Sequence, residues 1–72
     1  MGTLKLEHRT VEYQWASDVA FDGIRMEILS DQRSILFDVS IADNGLMTVN
    51  TFGNEVPVEL IKAALETAEQ RR

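Results

Sequence analysis

Apolar and polar side chains alternate in the second half of the chain, and this alternation predicts a β-hairpin. From Ile35 to Ile41 every second side chain is large and apolar, which is the period of a half-buried strand. Residues 43–45, Asp-Asn-Gly, interrupt the alternation, and a second strand follows from Leu46 to Phe52. The other predicted elements are arranged around this hairpin.

The loop length determines which residues of the hairpin face each other. A three-residue loop at residues 43–45 places Ile41 opposite Met47 and gathers the apolar side chains on one face, whereas a two-residue loop scatters them. The three-residue loop usually ends in a left-handed residue, and Gly45 occupies that position. The same register pairs Val39 with Val49 and Phe37 with Thr51.

The first strand changes phase along its length. Leu4 and Leu6 alternate in one phase, whereas Val11, Tyr13 and Trp15 alternate in the other. Such a change is typical of a bulge or a bend within one strand, which we predict near residues 9–10.

Two interpretations are open for the end of the first strand. The dipeptide Asp22-Gly23 is typical of a two-residue hairpin turn, which would extend the strand to Phe21 instead of ending it near Trp15. That turn pairs Phe21 with Ile24 and Val19 with Met26. Alternatively, residues 17–18 form the loop and Gly23 lies in a bulge. Both interpretations give four strands in total.

A polar loop at residues 30–33 separates the second predicted strand from the third. Pairing across this loop places Arg25 opposite Asp38, and such a pair of opposite charges contributes about 0.2–1 kcal/mol to a sheet. On the other face the same register pairs Ile28 with Ile35, Met26 with Phe37 and Ile24 with Val39.

The C-terminal segment predicts one amphipathic helix over residues 57–70. Pro57 suits the first helical position, where its missing N–H costs nothing. Glu59 lies near the positive end of the helix dipole, whereas Arg71 and Arg72 lie near the negative end. The apolar stripe comprises Val58, Ile61, Ala64, Leu65 and Ala68, with Leu60 at its edge.

These elements predict one small α+β domain over residues 1–72. Consecutive strands joined by short connections form a four-stranded antiparallel β-meander, and the C-terminal α-helix packs across one face. The order of elements is β-β-β-β-α.

Composition narrows the classes of function. The chain has no cysteine, so no disulfide is expected, and a cytoplasmic location is favoured. The net charge of −5 opposes binding to phosphate backbones, which requires clustered Lys and Arg. No apolar run approaches the length of a membrane span. We therefore expect no nucleic-acid partner, no membrane partner and no cofactor.

Few residues have the spacing of a catalytic or metal site. His8 is the only histidine, and no nucleophile or acid stands at a recognisable spacing from it. Asp43 and Asn44 resemble part of a calcium loop, but the remaining ligands of that motif are missing, so we predict no metal site. A small ligand-binding or catalytic protein that uses His8, or the pair of Arg25 and Asp38, is the alternative function.

The face without the helix suggests a different function. An uncovered face of an antiparallel sheet is normally polar, yet the predicted register places four large apolar residues there, and such patches often mark interfaces. We therefore expect a non-enzymatic interaction module, a regulator, inhibitor or accessory subunit, that binds a partner protein or a second copy. The predicted contact residues are Leu29, Leu36, Leu46 and Phe52, with Leu36 opposite Phe52, around Arg25 and Asp38.

Overall fold

The computed structural model describes residues 1–18 and 20–71, apart from the side chains of Asp18 and Phe21. It shows one antiparallel sheet with a C-terminal helix packed on it, which confirms the α+β class. The strands follow one another in the sheet in chain order. They are β1 (Gly2–Lys5), β2 (Thr10–Asp18), β3 (Phe21–Leu29), β4 (Ile35–Ala42) and β5 (Met47–Asn50), and the helix is α1 (Val58–Arg71).

The sheet has five strands, so the predicted number of four is wrong. The change of phase near residue 9 is a turn between two strands and not a bulge within one. The Leu6 N–H donates to the Arg9 carbonyl over 2.8 Å, and Leu4 faces Val11 across the hairpin. This turn contains neither glycine nor proline, so the usual sequence signal for a turn is missing.

The Asp22-Gly23 dipeptide lies inside β3 and does not form the turn predicted for it. The last pair between β2 and β3 is Asp18 with Phe21. A register shift separates it from the next pair, Ser17 with Ile24. Gly23 has another role, because a Cβ there would collide with the carbonyl oxygen of Ile41 on β4. The predictions made for Val19 and Arg72 lie outside the described residues.

The pairing of β3 with β4 is two residues away from the predicted register. Ile28 faces Phe37, Met26 faces Val39 and Ile24 faces Ile41. Side chains in a strand alternate with a period of two, so a shift by two residues leaves every side chain on its predicted face. The hydrophobic pattern alone therefore cannot distinguish the two registers.

The pairing of β4 with β5 agrees with the prediction. Ile41 faces Met47 and Val39 faces Val49, and Gly45 has a φ of 90°, which confirms the three-residue loop with a left-handed final residue. The predicted pair of Phe37 and Thr51 does not form, because β5 ends at Asn50.

The helix covers one face of the sheet through three small or medium-sized side chains. Leu60, Ala64 and Ala68 are completely buried, and their spacing of four residues places them on one line along the helix. Ala64 and Ala68 belong to the predicted stripe, and Ile61 and Leu65 of that stripe are partly buried against the core. Val58 is 62% exposed, so its place in the stripe was wrong, and Leu60 lies at the centre of the contact and not at its edge. On the sheet, the fully buried side chains are Met26, Ile28, Phe37 and Val39.

The two ends of the helix are fixed by different contacts. At the start, the Pro57 carbonyl accepts a hydrogen bond from the Ile61 N–H over 3.2 Å. The first helical residue is therefore Val58, one position later than predicted, and Pro57 directly precedes the helix. At the end, the Arg71 guanidinium lies 4.5 Å from the centre of the Trp15 ring. Trp15 also meets Tyr13 edge-on.

Candidate functional site

A row of polar side chains crosses four strands on the face of the sheet without the helix. The register aligns Gln14 on β2, Glu27 on β3, Asp38 on β4 and Asn50 on β5. The Gln14 side-chain amide donates to Glu27 Oε1 over 2.8 Å. We refer to these four residues as the polar row.

Asp38 is the buried member of the polar row, with only 3% of its surface exposed. It is a short side chain on β4, an inner strand of the sheet. Burial raises the pKa of its carboxyl above the ordinary value, and the Glu27 charge acts in the same direction. The Arg25 charge and a 3.4 Å hydrogen bond from Ser40 Oγ lower this pKa and offset part of the rise.

The predicted facing pair of Arg25 and Asp38 does not occur. Arg25 faces Ser40, and Asp38 faces Glu27, which follows from the two-residue shift between β3 and β4. The two charges nevertheless share one face and still influence each other, as the pKa of Asp38 shows. Arg25 and Asp38 therefore lie on the predicted face of the sheet, but on neighbouring and not on facing positions.

Leu36 and Leu29 do not form an apolar patch on this face. The register shift between Ile28 and Leu29 makes Leu36 an extra residue in β4, and a bulge of this kind re-aims a side chain. Leu36 packs against the core beneath the helix. Leu29 is only 5% exposed. The prediction that both residues belong to an exposed apolar surface is wrong.

Leu46 and Phe52 are exposed, but they flank a strand and do not lie opposite Leu36. Leu46 precedes β5 and is 63% exposed, whereas Phe52 follows β5 and is 53% exposed. Val49, within β5, is also exposed, to 39%. We call Leu46, Val49 and Phe52 the β5 edge cluster.

Val49 is the member of this cluster that the sequence pattern misassigned. The alternation places it on the face covered by the helix, and the register agrees. In the described chain, however, the helix lies over β1, β3 and β4 and does not reach β5. A comparison of widths could have revealed this, because a single helix is too narrow to cover even the four predicted strands.

Phe52 has a backbone conformation that residues other than glycine rarely adopt. Its φ is 55°, and a left-handed conformation is uncommon for a bulky residue. Asn50 supports it, because the Asn50 Oδ1 accepts a hydrogen bond from the Phe52 N–H over 3.0 Å. A second amide, on Asn54, donates to the Leu36 carbonyl over 2.8 Å.

His8 lies apart from the polar row. It sits in the turn between β1 and β2, its side chain is 88% exposed, and its Nε2 lies 4.0 Å from Glu7 Oε1. The shallow cavity beside it is also lined by Pro57 and Glu59 at the start of the helix. The structure therefore does not bring His8 together with Arg25 or Asp38.

The described residues form neither a cluster of metal ligands nor a membrane-spanning helix. Residues 1–18 and 20–71 hold no group of three or more metal-ligating side chains close enough to bind an ion. Within the same ranges, no helix has the length and apolar character needed to cross a membrane.

The chain matches no protein-family model, no curated protein and no solved structure. The arrangement of its own residues is therefore the basis for the functional argument.

Proposed function

We propose that the protein is a non-enzymatic protein–protein interaction module, a regulator, inhibitor or accessory subunit, that binds through the β5 side of the sheet. The observation that carries this proposal is the concentration of exposed apolar side chains in the β5 edge cluster. Leu46, Val49 and Phe52 occupy one short strand and its two flanking positions. Exposed apolar surface concentrated in this way is typical of a binding site.

The position of the cluster at an edge of the sheet supports binding. Natural edge strands are usually protected against pairing by charged side chains, proline or bulges. β5 has the sequence MTVN and carries neither charge nor proline, and its register with β4 is regular. An unprotected edge of this kind can add a strand from another chain.

The conformation of Phe52 also supports binding. A left-handed conformation costs roughly 1–2 kcal/mol for a residue other than glycine, and about half of this aromatic side chain remains in solvent. Burial in its own fold therefore covers only about half of the residue. Backbone strain of this kind clusters at functional positions.

The interaction surface differs from the one that the sequence alone suggests. The helix-free face is polar in its centre, Leu29 is buried, and Leu36 is partly buried against the core. Leu46 and Phe52 remain proposed contact residues. Val49 is added to them, and Leu29 and Leu36 are left out. The lack of cysteine supports a cytoplasmic location for the module.

The alternative function, a small ligand-binding or catalytic protein, has less support. Asp38 is 3% exposed, so a substrate would meet the neighbouring side chains before reaching its carboxylate. His8 is exposed in a different region of the molecule, and its neighbour Glu7 is equally exposed. Within the described residues, the only ion pair of His8 is with Glu7, which is not the arrangement of a triad.

An affinity purification from the source cells with matched variants tests the proposal. The tagged wild-type protein is compared with Phe52→Asn, because asparagine tolerates the left-handed conformation. The control is Val58→Asn, which replaces an apolar side chain of similar exposure on the helix. We expect Phe52→Asn to lose the bound protein and Val58→Asn to retain it. A bound protein that Phe52→Asn and Leu46→Asn both retain would contradict the proposed surface.

A further inference from the structure

The backbone of β5 presents free hydrogen-bonding positions on its outer side. The Ala42 N–H donates to the Leu46 carbonyl over 2.9 Å, and bonded and non-bonded pairs alternate along an antiparallel ladder. Thr48 and Asn50 therefore point their backbone groups at β4, whereas Met47 and Val49 point theirs outwards. In the described chain no strand lies on that outer side.

The chain segment that contains β5 carries no charged side chain. The chain has a net charge of −5, and 26% of its residues are charged, yet residues 44–54 include no charged side chain. A basic partner would find no carboxylate within this segment to pair with. A second copy presents the same uncharged strip, so the two strips meet without facing charges.

The order of side chains along β5 makes the edge complementary to itself. When two copies of β5 run antiparallel about an axis at Val49, each Val49 faces the partner's Val49. Continued past the ends of β5, the same register brings Leu46 towards the partner's Phe52. All three members of the β5 edge cluster are thereby paired with an apolar side chain, and Val49 aligns its outward N–H and carbonyl with those of its counterpart.

We propose that the protein binds a second copy of itself by antiparallel pairing of β5 with β5 about a two-fold axis at Val49. The two five-stranded sheets then form one sheet of ten strands. Facing residues of an antiparallel pair point to the same side, so both helices lie on the same face of that sheet. This inference rests on the proposed function and specifies its partner.

The size of the interface determines the expected strength of association. Stable complexes bury about 800 Å² on each partner, and a strand of four residues with one exposed apolar side chain, plus one more beyond each end, offers less. The dimer is therefore weak and depends on concentration, with a dissociation constant in the micromolar range or above.

Sedimentation velocity from micromolar to millimolar concentration, with two proline variants, tests the pairing. Val49→Pro removes an outward N–H and leaves the bonds of β5 to β4 intact. Thr3→Pro does the same at the opposite edge, because the Leu6–Arg9 bond fixes the alternation of β1. We expect Val49→Pro to lose at least tenfold in dimer affinity and Thr3→Pro to dimerise normally. Equal dimerisation of Val49→Pro and the wild type would overturn the inference.

A second variant is needed because Val49→Pro could lose the dimer simply by unfolding the protein. Val49→Lys keeps the backbone N–H and places a charge on the edge, which protects natural edge strands from pairing. Its circular dichroism spectrum is expected to match that of the wild type while its dimer is lost. A folded Val49→Lys protein with an unchanged dimer affinity would also overturn the inference.

Single-cysteine variants test the register, because the chain has no cysteine of its own. We expect Val49→Cys to form a disulfide-linked dimer under mild oxidation much faster than Thr3→Cys. Equal rates would overturn the two-fold axis at Val49.

The results separate this inference from the proposed function. The wild type could stay monomeric at millimolar concentration while Phe52→Asn abolishes binding of another protein. That result would overturn pairing with a second copy but leave the proposed interaction module standing. A monomeric protein with no partner sensitive to Phe52→Asn overturns both.

Discussion

At the scale of single residues, two glycines of this sheet serve different physical purposes. Gly45 has a φ of 90° and open space around the position of a Cβ, whereas Gly23 approaches the Ile41 carbonyl too closely for any side chain. The first requirement concerns backbone conformation alone, and the second concerns contact between strands. The sequence reveals the first, since Asp-Asn-Gly between two alternating runs indicates a left-handed glycine. The second depends on which backbone lies beside Gly23.

This difference predicts the effect of adding one methyl group at each glycine. Gly45→Ala is expected to lower the free energy of unfolding by about 1–2 kcal/mol, the cost of a left-handed conformation. Gly23→Ala is expected to cost more, because β3 and β4 must move apart to accept the Cβ. Urea denaturation of both variants provides the comparison. The assignment of roles would be wrong if Gly23→Ala were the milder change.

Asp38 predicts a pH-dependent contribution to stability. Burial raises the pKa of its carboxyl in the folded state above the ordinary value of 3.8. The folded state therefore holds this proton more tightly than the unfolded chain, so the ionised carboxylate opposes folding at neutral pH. This penalty disappears as the pH falls through the folded pKa.

We expect Asp38→Asn to raise the melting temperature at pH 7, because the amide is buried without charge. The gain shrinks as the pH is lowered through the folded pKa of Asp38, since the wild-type carboxyl then becomes neutral as well. Calorimetry across this pH range measures both effects, with Glu66→Gln on the exposed side of the helix as the control. A lower melting temperature than that of the wild type at pH 7 would contradict the net penalty of the ionised carboxylate.

At the scale of elements, the hydrophobic pattern located the hairpin of β4 and β5 and the helix but left two features undetermined. It could not distinguish two registers of β3 against β4 that differ by two residues, because both place the same side chains on the same face. It also merged β1 and β2, because the turn at Glu7 and His8 lacks glycine and proline. The sequence also gives no signal for the bulge at Leu36. This bulge turns Leu36 away from the interaction surface that the sequence predicted.

The helix packs on the sheet through buried alanines. The space between the helix and the sheet is therefore too small for a larger side chain at these positions. Ala64 is completely buried, whereas Val58 on the same helix is 62% exposed. We expect Ala64→Leu to cost about 1–3 kcal/mol, since overpacking forces the helix away from the sheet. Val58→Ala is expected to change stability by no more than about 0.5 kcal/mol. Thermal denaturation of the two variants tests whether the buried line runs through Ala64; a neutral Ala64→Leu would contradict it.

At the scale of the whole molecule, charge is distributed unevenly over a chain that is acidic as a whole. Two copies that each carry a net charge of −5 repel one another, while residues 44–54 contribute no charge to either side of the proposed contact. Dissolved salt screens the repulsion over about 10 Å at moderate ionic strength. An interface without ion pairs has no attraction for salt to screen.

The proposed dimer is therefore expected to tighten with salt. We predict that its dissociation constant falls a few-fold when the ionic strength rises from low values to roughly 0.5 M, where the screening length is only a few Å. Sedimentation equilibrium at several sodium chloride concentrations measures the trend. Weaker association at high salt would indicate that ion pairs hold the copies together.

The contact between Arg71 and Trp15 gives the protein an internal optical reporter. Trp15 is the only tryptophan of the chain, and the guanidinium of the last helical residue lies 4.5 Å from the centre of its ring. Its fluorescence therefore responds to the environment at the C-terminal end of the helix. Fraying of the last helical turn would change the emission before the sheet loses its circular dichroism signal, so docking of the helix can be followed in real time without an added label.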